Sequence, residues 1–390
     1  MFNKETNKIV LVNLGSIFNL PPAINLIKCL LANHYKVHII SENVKNITRN
    51  ILDNDLVSYS EVEKMEGHDI LTRIRRRIVT GKQYRDYVSE HTNVGDILWT
   101  TTDATVRILG KLVLNYQHIM EVTELAETTP LYNGAKHLHY PIVKYAQKAW
   151  KIVVPEMNRA YFQKIYWNLS KVPYVLPNKP YDIDSGNLSE EALKALEKIK
   201  NEKKKVVIYL GVFAYDRDLN TFAEAIKRLN DRYSLYLLGR VAIYGSYNEN
   251  KKVLDDLLEK YPSVHYLGFF PAPMHLEFLK YAHIGLLPYY VNPQKSFSNQ
   301  LNILYCAPNK IFEYAGFGIP MIGTDILGLK VPFEKYDIGI CCPNFNAEEI
   351  TEAIENIESK YEEMSNNCKC YFDSVDIDSI VNHILDAQIS

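Results

Sequence analysis

The feature that most constrains this chain is an alternation of buried-strand and helix patterns that runs, breaks and restarts. Ile9 to Asn13 is an apolar, β-branched run of the kind that forms a parallel strand covered on both faces. A loop from Leu14 to Pro22 follows. Ala23 to Asn33 then places Ile24, Ile27, Leu30 and Leu31 at helical spacing, and Lys36 to Ser41 reads as the next strand. Further strands are expected at Ile97–Thr100, at Lys111–Leu114 with the adjoining Asn115 and Tyr116, and at Lys151–Val154. The proline-rich stretch Val172 to Gly186 interrupts the pattern, and Ser189 to Lys205 is a charged helical segment. At Val206–Leu210 the alternation begins again, with a helix through Phe222, Ile226 and Leu229. Strands are then expected at Leu235–Leu238, His265–Leu267, Ile284–Leu287 and Pro320–Gly323.

Repeated strand–helix–strand units force a parallel sheet with helices on both faces. At 390 residues the chain exceeds what one hydrophobic core usually supports. The expected architecture is therefore α/β, with two doubly wound Rossmann-like domains facing a central cleft. The boundaries expected are 1–172 for the first domain, 173–205 for a linker and 206–370 for the second domain. The helix within 371–390 is expected to return to the first domain.

Composition excludes several function classes. Forty-four basic and 46 acidic residues give a formal charge of −2, so no general attraction to nucleic acid is expected. The six cysteines form no C-x-x-C pair and no ligand spacing with histidine, so no metal site is expected. The start, MFNKETNKIVLVNLG, lacks the parts of a secretory signal, and no apolar run reaches the roughly 18 residues of a membrane span. A cytoplasmic protein is the expectation. Tyrosine is abundant, 28 against 14 Phe and 3 Trp, and its amphipathic ring suits sugar stacking as well as domain boundaries.

The most informative segment is CAPNKIFEYAGFGIPMIGTD, Cys306 to Asp325. Pro308 stands where a helix can begin, and Gly316 and Gly318 stand where it would end. A helix N-terminus offers backbone N–H groups and the positive end of the dipole, which suits a diphosphate at Asn309, with Lys310 adding a full charge. Glu313, one turn on, can accept two hydroxyl hydrogen bonds from a ribose. The bland alternative is a helix that merely joins two strands.

PNKIFEYAGFGIPMIGTD resembles the nucleotide-sugar segment of retaining GT-B glycosyltransferases of the large family 4 class, bacterial capsule and exopolysaccharide enzymes in particular. By that resemblance Glu313 matches the second glutamate of an E-x7-E motif, which holds the donor ribose. Tyr305 stands where the first glutamate would be. VLPNKPYD (Val175–Asp182) resembles the interdomain segment, and GVFAYDRDLNTFAEAI (Gly211–Ile226) the first loop and helix of the donor domain, which makes Arg217 a second diphosphate cation. YLGFFPAPMHLEFLKYAHIGLLPY (Tyr266–Tyr289) resembles the segment that frames the base, so Phe269 or Phe270 would stack on it while the other enters the core.

SFSNQLN, Ser296 to Asn302, reads as polar and irregular, with Asn299 and Asn302 as hydrogen-bonding candidates for the donor sugar. In the first domain, Gly15 and Ser16 form a small-residue loop that lets backbone approach a sugar or phosphate, without the spacing of a dinucleotide fingerprint. His118, Glu121 and Glu124 recur every three residues, which would gather them on one helical or turn-like face. The two glutamates are acceptor-binding or acid–base candidates. The resemblance places His118 near the transferred sugar, and a buried structural histidine is the competing reading. Arg73, Arg75, Arg76, Arg77, Lys82 and Arg85 interleave with apolar residues, a pattern suited to an anionic membrane or a pyrophosphate-linked lipid acceptor, or else to a solvated covering helix.

The expected reaction is transfer of a sugar from a nucleotide diphosphate to a glycan or lipid-linked acceptor. His118, Arg217 and Lys310 are the catalytic candidates, and no cofactor or obligatory metal is expected because cations take the metal's place. Two alternatives share the architecture. One is a nucleotide-sugar 2-epimerase; the other is a non-catalytic nucleotide-sugar-binding partner, for which Tyr305 is the best support.

Overall fold

The computed structural model describes residues 3–63, 70–131, 138–213, 219–229, 231–242, 247–291 and 295–386, apart from the side chains of residues 70–74, 76 and 77. The chain divides into two compact units. The first comprises Met1–Tyr181, Phe297–Asn302 and Asp376–Ser390; the second comprises Asp182–Ser296 and Ile303–Val375.

The first unit is built on strands β1 (Lys8–Ser16), β2 (Lys36–Glu42), β3 (Val57–Glu61), β4 (Ile97–Thr100) and β5 (Gln117–Glu121). A short antiparallel pair, β6 (Thr129–Pro130) and β7 (His139–Tyr140), precedes β8 (Lys151–Val154) and β9 (Tyr174–Val175). The seven-stranded sheet has the order β3-β2-β1-β4-β5-β8-β9 and is parallel throughout. Val10, Val12, Leu98, Met120, Ile152 and Val154 alternate along their strands onto one face, where they pack with Tyr84, Val88, Val106 and Trp167. The last helix, Ile377–Asp386, joins this unit. The Tyr35 hydroxyl donates to Asn382 Oδ1 at 2.9 Å, and the Cys29 thiol lies 3.3 Å from Asp378 Oδ1.

The second unit carries β10 (Lys205–Phe213), β11 (Tyr233–Val241), β12 (Val264–Gly268), β13 (Ile284–Leu287), β14 (Met321–Thr324) and β15 (Gly339–Cys342), in the order β12-β11-β10-β13-β14-β15. Every pairing is parallel. Val206, Ile208 and Leu210 enter one core and Val207 and Tyr209 another, so both faces of β10 are covered, as its unbroken apolar sequence requires. Both units are thus doubly wound. In the second, strand order reverses between β10 and β13, and in such sheets ligands bind beyond the carboxyl ends of the strands at that reversal.

Two local expectations are corrected. Lys111–Leu114 is not a strand: Gly110, at φ +62°, ends the helix Asp103–Leu109, and the chain continues as a 3-10 helix over Gly110–Asn115. The strand is instead Gln117–Glu121, whose His and Glu conceal it, because in a covered sheet a polar residue is tolerated once it is hydrogen-bonded. Ser296–Asn302 is not irregular either. Phe297–Leu304 is a helix, with Leu301 buried on its inner side.

Candidate functional site

The helix Asn309–Gly316 leads into β14, so its last turn lies at the amino edge of the sheet and its first turn at the carboxyl edge. A second observation fixes that placement. Gly328 follows β14, and a Cβ there would fall 2.6 Å from the Cys306 backbone N, which puts the chain just ahead of the helix over the strand ends. The loop after β13 is tied to the same edge, since Tyr289 N–H donates to Thr324 Oγ1 and the Thr324 hydroxyl donates to the Tyr289 carbonyl at 2.7 Å.

Tyr314 anchors this helix. Its hydroxyl accepts from Leu210 N at 3.3 Å and faces the Ile208 and Leu286 carbonyls, so it bridges β10 and β13 where the strand order reverses. The ring lies flat on Gly285, where a Cβ would come within 2.5 Å of it. Pro308, at the N-cap, makes no side-chain cap bond, since a proline side chain has no acceptor, and its carbonyl accepts from Ile311 N at 3.4 Å. The helix therefore presents a backbone donor end at the carboxyl edge of the sheet, beside the half-buried Asn309 and Lys310.

Glu313 is buried, and its Oε2 lies 3.2 Å from His275 Nε2. Burial pushes this carboxyl up, but the charge and hydrogen bond of His275 and the nearby charge of Lys310 outweigh it and hold the group below its ordinary value. Glu313 is therefore an ionised acceptor one turn from the helix end.

At the ends of β11 and β12, Arg240 and Phe269 form an exposed pair with the guanidinium 5.8 Å from the ring centroid. Phe269 is 50% exposed, whereas Phe270 stacks on Phe278 in the core at 4.9 Å. Gly239 pairs with Gly211, whose carbonyl oxygen would lie 1.6 Å from any Cβ at 239. Sequence reasoning missed Arg240 and His275. The first was legible as a charge placed directly after an apolar strand and a glycine, in LLGR; nothing in the sequence pairs His275 with Glu313. Arg217 lies outside the described residues.

In the first unit the candidates do not gather. Gly15 adopts φ +88°, with its N–H donating to the Tyr84 hydroxyl and its carbonyl accepting from Ser41 and Asn13; Ser16 beside it is half-buried and ends β1. His118 and Glu121 lie on β5, where a separation of three residues sends side chains to opposite faces. The one-face expectation for His118, Glu121 and Glu124 is thereby corrected. His118 is 2% exposed and bonds the Thr100 hydroxyl at 2.9 Å; burial lowers its pKa to about 3, so the ring is neutral. Among the described residues, His118 Nδ1 has no hydrogen-bond partner.

Asn302 faces protein: its Oδ1 accepts from Leu125 N at 2.9 Å and its amide donates to Glu124, while Arg159 donates to its carbonyl at 2.7 Å. Asn299, on the same helix, is exposed. Glu124 is exposed and also lies 3.8 Å from Arg159. Among the described residues no group of three His, Cys, Asp or Glu is arranged to hold a metal ion, and no helix is long and apolar enough to cross a membrane.

Glu121 accepts from the Trp99 indole at 2.8 Å, and burial raises its pKa from 4.5 to about 7. Because the fold favours the neutral form, this carboxyl contributes most stability below pH 4.5. That contribution falls as pH rises towards 7 and is level beyond it. At about 1.4 kcal/mol per pH unit the whole effect is roughly 3 kcal/mol. Glu121→Gln keeps an acceptor for Trp99 and should flatten the fall in melting temperature between pH 5 and 7. Parallel pH profiles for the two proteins would contradict this.

Residues 193–371 match the family model for glycosyl transferases group 1, a span that contains the helix end, Glu313, Arg240 and Phe269. HepE of Anabaena, in complex with UDP-glucose, aligns with a TM-score of 0.67 at 12% identity, over 97% of this chain and 98% of that one. The fold is GT-B. Two further GT-B structures agree. Sucrose-phosphate synthase from Thermosynechococcus elongatus has a TM-score of 0.66 at 13% identity, over 96% of this chain and 97% of that one. WaaG, a glycosyltransferase involved in lipopolysaccharide biosynthesis, has a TM-score of 0.64 at 13% identity, over 97% and 100%. No curated protein sequence matches the chain. At such low identity these GT-B likenesses establish architecture, and the chemistry must be argued from the residues.

Proposed function

We propose that the chain is a retaining glycosyltransferase of the family 4 kind, which transfers a sugar from a nucleotide diphosphate to a glycan or lipid-linked acceptor in surface polysaccharide synthesis. The observation that carries this reading is the donor end of Asn309–Gly316, with Lys310 beside it, at the carboxyl edge of the second sheet where strand order reverses. Glycosyl transfer requires a place for the charge that builds on the departing diphosphate, and fixed backbone dipoles with a cation supply one without reorganisation. Lys310 and the amides at Asn309 take that role, and Arg217, whose place the family resemblance suggests, is the second cation.

Glu313 receives the ribose hydroxyls, with His275 holding its carboxylate in place. Phe269 and Arg240 offer a stacking face for the base. The UDP and UDP-glucose bound to HepE favour uracil as that base. No metal is needed where two cations and a helix end neutralise the diphosphate. The first unit takes the acceptor, with the exposed Glu124 as the acid–base candidate. Arg75, Lys82 and the exposed Ile78 on the helix Ile70–His91 support contact with an anionic membrane, and the location proposed with it is the cytoplasmic face of the membrane.

A thermal-shift panel of UDP-, GDP- and CMP-sugars tests the donor reading, because a ligand at 100 times its Kd stabilises the folded state by about 2.7 kcal/mol. UDP-sugars should raise the melting temperature most. No response to any nucleotide sugar would refute the assignment. Conversion of the donor with no acceptor present would select the epimerase, and binding without transfer or hydrolysis would select the non-catalytic partner.

A further inference from the structure

A cavity lies in the first unit, lined by none of the residues assigned above. It occupies about 470 Å³, within the roughly 300–1,000 Å³ of small-molecule sites. It opens at the amino end of β8, whereas ligands of a doubly wound sheet bind at the carboxyl ends, so it is not part of the transfer machinery. Its walls come from the turn before β8 and from the loop after the helix Met157–Tyr166, and they carry Gln147, Trp150, Lys151, Asn168, Ser170 and Tyr174.

These walls are chemically specific. Lys151 is 5% exposed, and its ammonium sits 3.8 Å from the Trp150 ring centroid while donating to the Ile384 carbonyl. The indole is thereby fixed in place by a buried cation. Tyr174 is held edge-on to His383 at 5.6 Å. Among the described residues, the Trp150 indole N–H, the Tyr174 hydroxyl, the Asn168 side-chain amide and the Ser170 hydroxyl make no hydrogen bond to protein. Gln147 is spent differently: it donates to the Trp167 carbonyl at 2.9 Å and so braces the loop that carries Asn168 and Ser170.

We propose that this cavity is a saccharide-binding subsite, separate from the transfer site, which holds a unit of the glycan acceptor. Rigid aromatic faces take the C–H faces of a pyranose, and a ring of unspent donors and acceptors takes its hydroxyls. A flat aromatic metabolite would leave those polar groups unpaired at a cost, and a lipid tail would do so more severely. The biological meaning of the subsite rests on the glycosyltransferase reading, because an enzyme that extends a polymer gains avidity from gripping it at a second point.

The test is saturation-transfer NMR on the full chain with three probes, cellotetraose, chitotetraose and tetragalacturonate, run in parallel with UDP-induced thermal stabilisation. At least one probe should bind saturably to the wild type. Trp150→Ala should weaken it at least tenfold, and Ser170→Trp, which fills the cavity from an exposed loop position, should do the same while UDP stabilisation stays as in the wild type. The second variant keeps the test decisive if the first fails to fold. Saccharide binding without any UDP response would leave the subsite standing and remove the transferase reading. Absence of binding by all three probes, or binding that Ser170→Trp leaves intact, would overturn the subsite.

Discussion

Lys310→Ala is expected to lower kcat/KM for sugar transfer by about 100- to 1,000-fold, the range seen when one fixed donor to a developing negative charge is removed. Most of the loss should appear in kcat, because the charge on the diphosphate grows as the glycosidic bond breaks. Lys310→Arg keeps the charge but spreads it over a planar fork, and should recover part of the rate. Since the side chain is only half-buried at a helix end, the melting temperature should barely change. Wild-type transfer by Lys310→Ala, with an unchanged donor constant, would refute the leaving-group role.

Gly285→Ala should cost the second unit about 3 kcal/mol, at the upper end of what overpacking a closed core does. The added methyl would lie 2.5 Å from the Tyr314 ring, which is fully buried and bonded across β10 and β13, so the ring has nowhere to go. For a unit of this size the melting temperature should fall by about 6–12 °C. Donor affinity should fall with it, because displacing Tyr314 moves the helix whose first turn forms the site. Tyr314→Leu in the same background vacates the space, and the pair should be less destabilising than the sum of the two single changes by about 1–2 kcal/mol. Strict additivity would show that the ring and the glycine are not coupled in this way.

Much of the fold was legible because parallel strands buried on both faces leave unbroken apolar runs. Ile97–Thr100, Lys151–Val154 and Ile284–Leu287 were read with the bounds they have. Strand β5 was missed for the opposite reason. His118 and Glu121 are silent partners of Thr100 and Trp99 inside the sheet, and sequence cannot show that a polar side chain has found its hydrogen bond. The helix Asn309–Gly316 was legible from Pro308 and Gly318, since proline and glycine act through local backbone geometry. Pairings between distant segments were not. The bond from His275 to Glu313 and the engagement of Asn302 by Leu125, Glu124 and Arg159 depend on how the chain returns on itself.

The central claim is that the first-turn amides of Asn309–Gly316, with Lys310, grip a pyrophosphate. Titration of 15N-labelled protein with UDP, and separately with uridine, reads it directly. UDP should produce its largest amide shifts at Asn309, Lys310 and Ile311, and uridine, which lacks the phosphates, should leave those three nearly unmoved. Saturable binding of UDP with those amides unchanged would contradict the account.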